Sequence, residues 1–165
     1  MRLRLLETAA ATALLIGLSA LPAAAQTFTL TAKLTGAGEA TPTANGINTG
    51  AFGDATVVVD MSTRTVTYTV NVFNLPSGVI ASHIHVGAEG TPGPVVVNFT
   101  VPTNSSNDFG FSGTVADTAF VLRPDQGIRS ADDMFQAILG NNSYVNVHSL
   151  VNPGGEIRGQ LILKQ

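Results

Sequence analysis

In Thr65-Val66-Thr67-Tyr68-Thr69-Val70-Asn71-Val72-Phe73 polar and apolar side chains alternate as far as Val72. Successive side chains of a strand leave opposite faces, so Val66, Tyr68, Val70 and Val72 share one face and Thr65, Thr67, Thr69 and Asn71 the other. Upstream, Met61-Ser62-Thr63-Arg64 separates this run from a second one, Asp54 to Asp60, and the pair reads as a hairpin. Further upstream, Phe28, Leu30, Ala32 and Leu34 alternate with Thr27, Thr29, Thr31 and Lys33 as an opening strand. The segment Gly36 to Gly50 has no period and is expected to be a long loop.

Downstream, Leu75-Pro76-Ser77-Gly78 signals a turn, and Ser82-His83-Ile84-His85-Val86-Gly87 a strand. A Gly/Pro loop follows from Gly87 to Gly93, then strands at Pro94 to Val101 and Phe109 to Ala116. The final strands fall around Tyr144-Val145-Asn146-Val147-His148 and after Pro153-Gly154-Gly155. The last of them turns Ile157, Leu161 and Leu163 inward, with Gly159 where another backbone can approach closely. Only Ser130 to Gly140 breaks the β pattern. Ser130 caps a short helix there, Asp132 and Asp133 suit its positive end, Gly140 stops it, and Ala131, Met134, Phe135 and Ile138 face the sheets. Short strands between turn signals predict an all-β fold, a Greek-key β-sandwich or barrel with one helix near residues 130–140.

Residues 1–25 read as a secretory signal: Arg2 and Arg4, a short apolar stretch through Leu14 to Leu18, and Ala23-Ala24-Ala25 before Gln26. The apolar stretch is shorter than the ~20 residues of a membrane span. The expected product is a secreted or periplasmic chain of one domain, residues 26–165, with no transmembrane segment. That domain carries six basic and ten acidic residues, a net charge of −4, and no electrostatic footprint for nucleic acid. The chain has no cysteine, so its stability must come from packing.

All three histidines lie in strand runs. His83 and His85 share a face, opposite Ile84 and Val86, while His148 aligns with Asn146. Neutral imidazole binds zinc and copper well, and two histidines two residues apart on a strand can approach one ion, with His148 as third ligand if its strand is adjacent. The alternatives are that the rings hydrogen-bond to backbone or one another, or respond to pH. Glu156 and Arg158 also share a strand face, where they either pair with each other or meet a partner. Nucleophilic catalysis has no support, since cysteine and a Gly-x-Ser-x-Gly elbow are absent and Ser82 projects away from His83. Three glycosylation sequons begin at Asn98, Asn104 and Asn141.

Taken in order, several motifs resemble those of the CHRD domain, named for its occurrence in chordin. Leu34-Thr35-Gly36-Ala37-Gly38-Glu39 is followed by His83-Ile84-His85-Val86-Gly87 and Gly93-Pro94-Val95-Val96. Then come the helix, Tyr144 to His148, and Asn152-Pro153-Gly154-Gly155-Glu156-Ile157-Arg158-Gly159-Gln160-Leu161. A single Pro42 stands where the family often has two prolines. The residues that carry the likeness are Gly87, Asn146, Pro153, Gly155, Glu156, Arg158 and Gly159, and the motif implies burial around the last turn. The resemblance implies an extracellular β-domain of immunoglobulin-like or superoxide-dismutase-like shape, and no reaction. Growth-factor antagonism does not carry over, because the cysteine-rich modules of chordin are missing. Copper–zinc superoxide dismutase also has a His-x-His strand, but its bridging histidine, further histidine and aspartate ligands and disulfide have no counterparts here. The expected role is that of a non-enzymatic binding or structural module for a protein, surface polymer or small ligand. The alternative is a zinc or copper protein using His83, His85 and His148.

Overall fold

The computed structural model describes residues 26–40 and 46–165. The expected signal segment and Pro42 lie outside the described residues. The alternating run Thr65 to Phe73 lies in β3 (Thr65–Leu75), flanked by β2 (Phe52–Asp60) and β6 (Asn107–Ala116). Val66, Tyr68, Val70 and Val72 are buried, as their period requires. Asp60 closes the β2–β3 turn by accepting from the amides of Ser62 and Thr63 and the Ser62 hydroxyl.

Among the described residues nine antiparallel strands form one sheet in the order β5-β4-β7-β8-β1-β2-β3-β6, with β9 (Ile162–Leu163) also on β1 (Thr27–Thr35). The sheet rolls into a nearly closed barrel or sandwich. The other members are β4 (Val79–Val86), β5 (Val95–Asn98), β7 (Ser143–Ser149) and β8 (Ile157–Gln160). Phe99, just beyond β5, crosses the interior to stack on Tyr68 of β3, with ring centroids 3.8 Å apart, and the Tyr68 hydroxyl accepts from the Thr100 amide. Leu30, Leu34, Val57, Val70, Ile84, Val145, Val147, Ile157 and Leu161 belong to one apolar core.

The helix α1 (Ala131–Leu139) forms as expected. Ser130 accepts from the Asp133 amide, and Met134, Phe135 and Ile138 are buried against the core. Gly36 to Gly50 holds no strand among its described residues, only a single 3-10 turn, Gly36–Gly38. Gly159 lies where β8 meets β1: a Cβ there would fall 2.1 Å from the Lys33 carbonyl oxygen. The close backbone approach read from the sequence is therefore present.

β7 departs from simple alternation, for every one of its residues is buried. Its apolar face lies on the core, and its polar face is roofed by loops. This roofed face carries the chemistry.

Candidate metal centre

Strand register builds the polar face. Across β4, β7 and β8, His83 pairs with Asn146 and Asn146 with Arg158, while His85 pairs with Tyr144 and Tyr144 with Gln160. His148 stands two residues along β7 from Asn146 and so shares its face. Residues more than sixty positions apart thus become neighbours, because β4 and β7 are adjacent in the sheet although not in the chain.

Two loops and a turn cover this face. The loop after Val86 folds back so that the Gly93 carbonyl meets His85 Nδ1 at 2.9 Å, and the turn after β7 brings the Pro153 carbonyl to His148 Nδ1 at 2.9 Å. A carbonyl oxygen only accepts, so in both rings Nδ1 carries the proton and Nε2 keeps its lone pair. His148 Nε2 lies 3.2 Å from His83 Nδ1, which donates to it. His85 Nε2 is buried with no hydrogen-bond partner. One nitrogen from each ring falls in a group whose members all lie within 4.8 Å of one another.

That arrangement matches what a transition metal needs in two respects. The nitrogens converge, and two rings are oriented by backbone acceptors, as metal-binding histidines usually are. Around one ion at ~2.0–2.1 Å in tetrahedral geometry the nitrogens stand ~3.4 Å apart, so a pair at the 4.8 Å limit must close by about 1.4 Å. His83, the ring least held, must move its proton to Nε2 to free Nδ1. His83, His85 and His148 have no carboxylate among them in the group.

Electrostatics keeps the rings neutral. Burial, then the neighbouring His148 and His85, brings His83 down to about 4. His85 is brought to about 4 by burial, against the Gly93 hydrogen bond and with His148, Arg158 and Arg123 adding to the fall. His148 is also lowered by burial, against its bond to Pro153. At neutral pH the rings carry no positive charge, so the His83 Nδ1 proton shared with His148 is the one a metal must displace.

The family-motif residues frame the site. Asn146 donates from Nδ2 to Glu39 Oε2 at 3.2 Å. Gly155 sits at φ 137°, where a Cβ would fall 2.6 Å from Glu39 Oε2, and its amide bonds to the Asn152 carbonyl to shape the Pro153 turn. Gly87 leaves room for Tyr144 and the Thr91 carbonyl, each within 3.3 Å of where its Cβ would be. Of the two alternatives for Glu156 and Arg158, pairing with each other is not what the structure shows. Both are buried, but Glu156 accepts from Ser149 Oγ and Asn152 Nδ2, each at 2.7 Å, while Arg158 donates to the carbonyls of Ala88 and Thr91. Glu156 lies just before β8 and turns to the end of β7 and the Asn152 turn, whereas Arg158, within β8, reaches the loop after Val86.

Tyr144 and Glu39 were not singled out in the sequence as site residues. Tyr144 stacks on His85 at 4.8 Å with planes 9° apart, and its hydroxyl accepts from the Gly93 amide at 3.0 Å. Period two places it on the histidine face, so that signal was present. Glu39 reaches Asn146 from the far side of a loop, and only the fold brings it there; burial pushes its carboxyl up to about 7, with Arg158 and Asn146 acting against the rise.

Comparison with known proteins is narrow. The family model for the CHRD domain matches residues 30–161. No curated protein and no solved structure matches the chain.

Proposed function

The chain belongs to the CHRD domain family, and on that premise we propose that it is an exported, non-enzymatic binding module whose ligand is a transition-metal ion, zinc or copper, held by His83, His85 and His148. The observation that carries this reading is the convergence of three imidazole nitrogens within 4.8 Å, from strands brought together only by folding. Support comes also from the two carbonyl-oriented rings and from the buried, unpartnered His85 Nε2. Such a lone pair is costly to bury without a partner, and a metal offsets that cost.

The non-enzymatic reading is supported by the lack of a paired nucleophile and base on the same face. Export is supported by the signal-like residues 1–25. An immunoglobulin-like or superoxide-dismutase-like Greek key fits the connections β3 to β4 and β5 to β6, each of which crosses from one half of the sheet to the other.

The test uses the mature chain purified without an affinity tag of histidines. Bound metals are measured, and Zn²⁺ and Cu²⁺ are titrated against wild type and His85→Ala. Wild type is expected to bind one equivalent, and the variant at least tenfold more weakly. Equal binding by both proteins removes the reading.

A further inference from the structure

We infer that the three-histidine site holds copper in its cuprous state in preference to divalent ions, because a buried guanidinium stands behind Tyr144, the ring stacked on one of its ligands. This rests on the metal reading above.

The geometry is a column of three groups. The Arg158 guanidinium carbon lies 3.4 Å from the centroid of the Tyr144 ring, and that ring lies 4.8 Å from the ring of His85. Arg158 is buried, and its hydrogen bonds go to the neutral carbonyl oxygens of Ala88 and Thr91 at 2.9 and 3.0 Å. Among the described residues it forms no salt bridge; the two found belong to Arg64 with Asp117 and Asp132. A guanidinium stays charged at any pH the fold survives, so the column ends in a permanent positive charge.

The ligand set does nothing to balance it. Three imidazoles contribute no negative charge, and no carboxylate joins their group. Arg158 feels the carboxyls of Glu39 and Glu89, but among the described residues it is hydrogen-bonded to neither, and Glu39 accepts from Asn146 instead. Arg123, bonded to the Val95 carbonyl at 3.0 Å, adds a second cation on the side of His85. A divalent ion here bears twice the repulsion of a monovalent one. With a unit charge ~8 Å away and an effective dielectric of about 20, that extra charge changes relative affinity by about thirtyfold. Cuprous ion is the monovalent first-row ion that imidazole holds, and three nitrogens suffice for it.

The decisive measurement is a set of dissociation constants for Cu⁺, Cu²⁺ and Zn²⁺ on the untagged mature chain. Cu⁺ is measured anaerobically against a chromophoric cuprous chelator, the divalent ions against chelators of known affinity, for wild type, Arg158→Met and Arg158→Lys. Wild type is expected to hold Cu⁺ at least tenfold more tightly than either divalent ion. Arg158→Met is expected to narrow that ratio by tenfold or more, and Arg158→Lys to retain most of it. Binding of all three ions with a divalent ion preferred overturns this inference and leaves the metal reading standing. Binding of none overturns both. A cuprous preference unchanged in a folded Arg158→Met overturns the role of the guanidinium, and if that variant does not fold the wild-type order alone decides.

Discussion

Glycines 154 and 155 are neighbours with opposite constraints. A Cβ on Gly154 would meet nothing within 4 Å, whereas Gly155 combines φ 137° with a Cβ position 2.6 Å from Glu39 Oε2 and 2.8 Å from Asn146 Nδ2. Gly154→Ala is therefore expected to change stability by no more than about 0.5 kcal/mol. Gly155→Ala should cost about 2 kcal/mol or more, through left-handed strain and displacement of the Glu39–Asn146 contact. Urea unfolding of the two variants beside wild type checks the contrast. Equal midpoints would show that the turn does not constrain the site. At this scale the sequence marked the Pro153-Gly154-Gly155 turn, but which glycine was indispensable depended on a carboxylate more than a hundred residues away.

The helix and the histidine strands show the same division at the level of elements. α1 was legible because capping is local: the Ser130 hydroxyl, accepting from the Asp133 amide at 3.1 Å, lies three residues from its partner. Ser130→Ala should lower stability by about 1 kcal/mol, read as a shift of the urea midpoint without a change in slope. Faces of strands were legible for a similar reason, since alternation is a property of one segment. The neighbours of each strand were not. The partner of β4 on one side is β7, and the intervening sequence includes β5, β6 and α1. The order of strands decided whether the histidines would meet, and so did the loops that bury β7 on its polar side.

Buried titratable groups make the stability of the whole molecule depend on pH in two opposing ways. His83 and His85 fall from 6.5 to about 4 on folding, so between those values the unfolded chain binds protons that the native chain refuses. Their contribution is present above pH 6.5 and is lost as pH falls toward 4, on the order of 3 kcal/mol for His85. Glu39 runs the other way. Its folded value, raised from 4.5 to about 7, contributes stability that is complete below 4.5 and lost as pH rises through 7. Apo protein should thus gain stability from pH 4 to a plateau at about pH 7, because more histidines than carboxyls are involved. Glu39→Gln, which keeps an acceptor for Asn146, should steepen the acid limb and lift the neutral plateau relative to pH 4. Urea midpoints from pH 4 to 8 measure the limb and the plateau. An unchanged profile in Glu39→Gln would exclude that carboxyl as the source. Sequence alone determined the β class, the helix, the faces of the strands and the motifs of the family, because period, capping and turn chemistry act over a few residues. Tertiary structure decided that three imidazoles converge, that Glu156 and Arg158 do not pair, and that Arg158 stands behind Tyr144 and His85. Those are contacts between distant segments, fixed by strand order and by the loops that exclude water from one polar face.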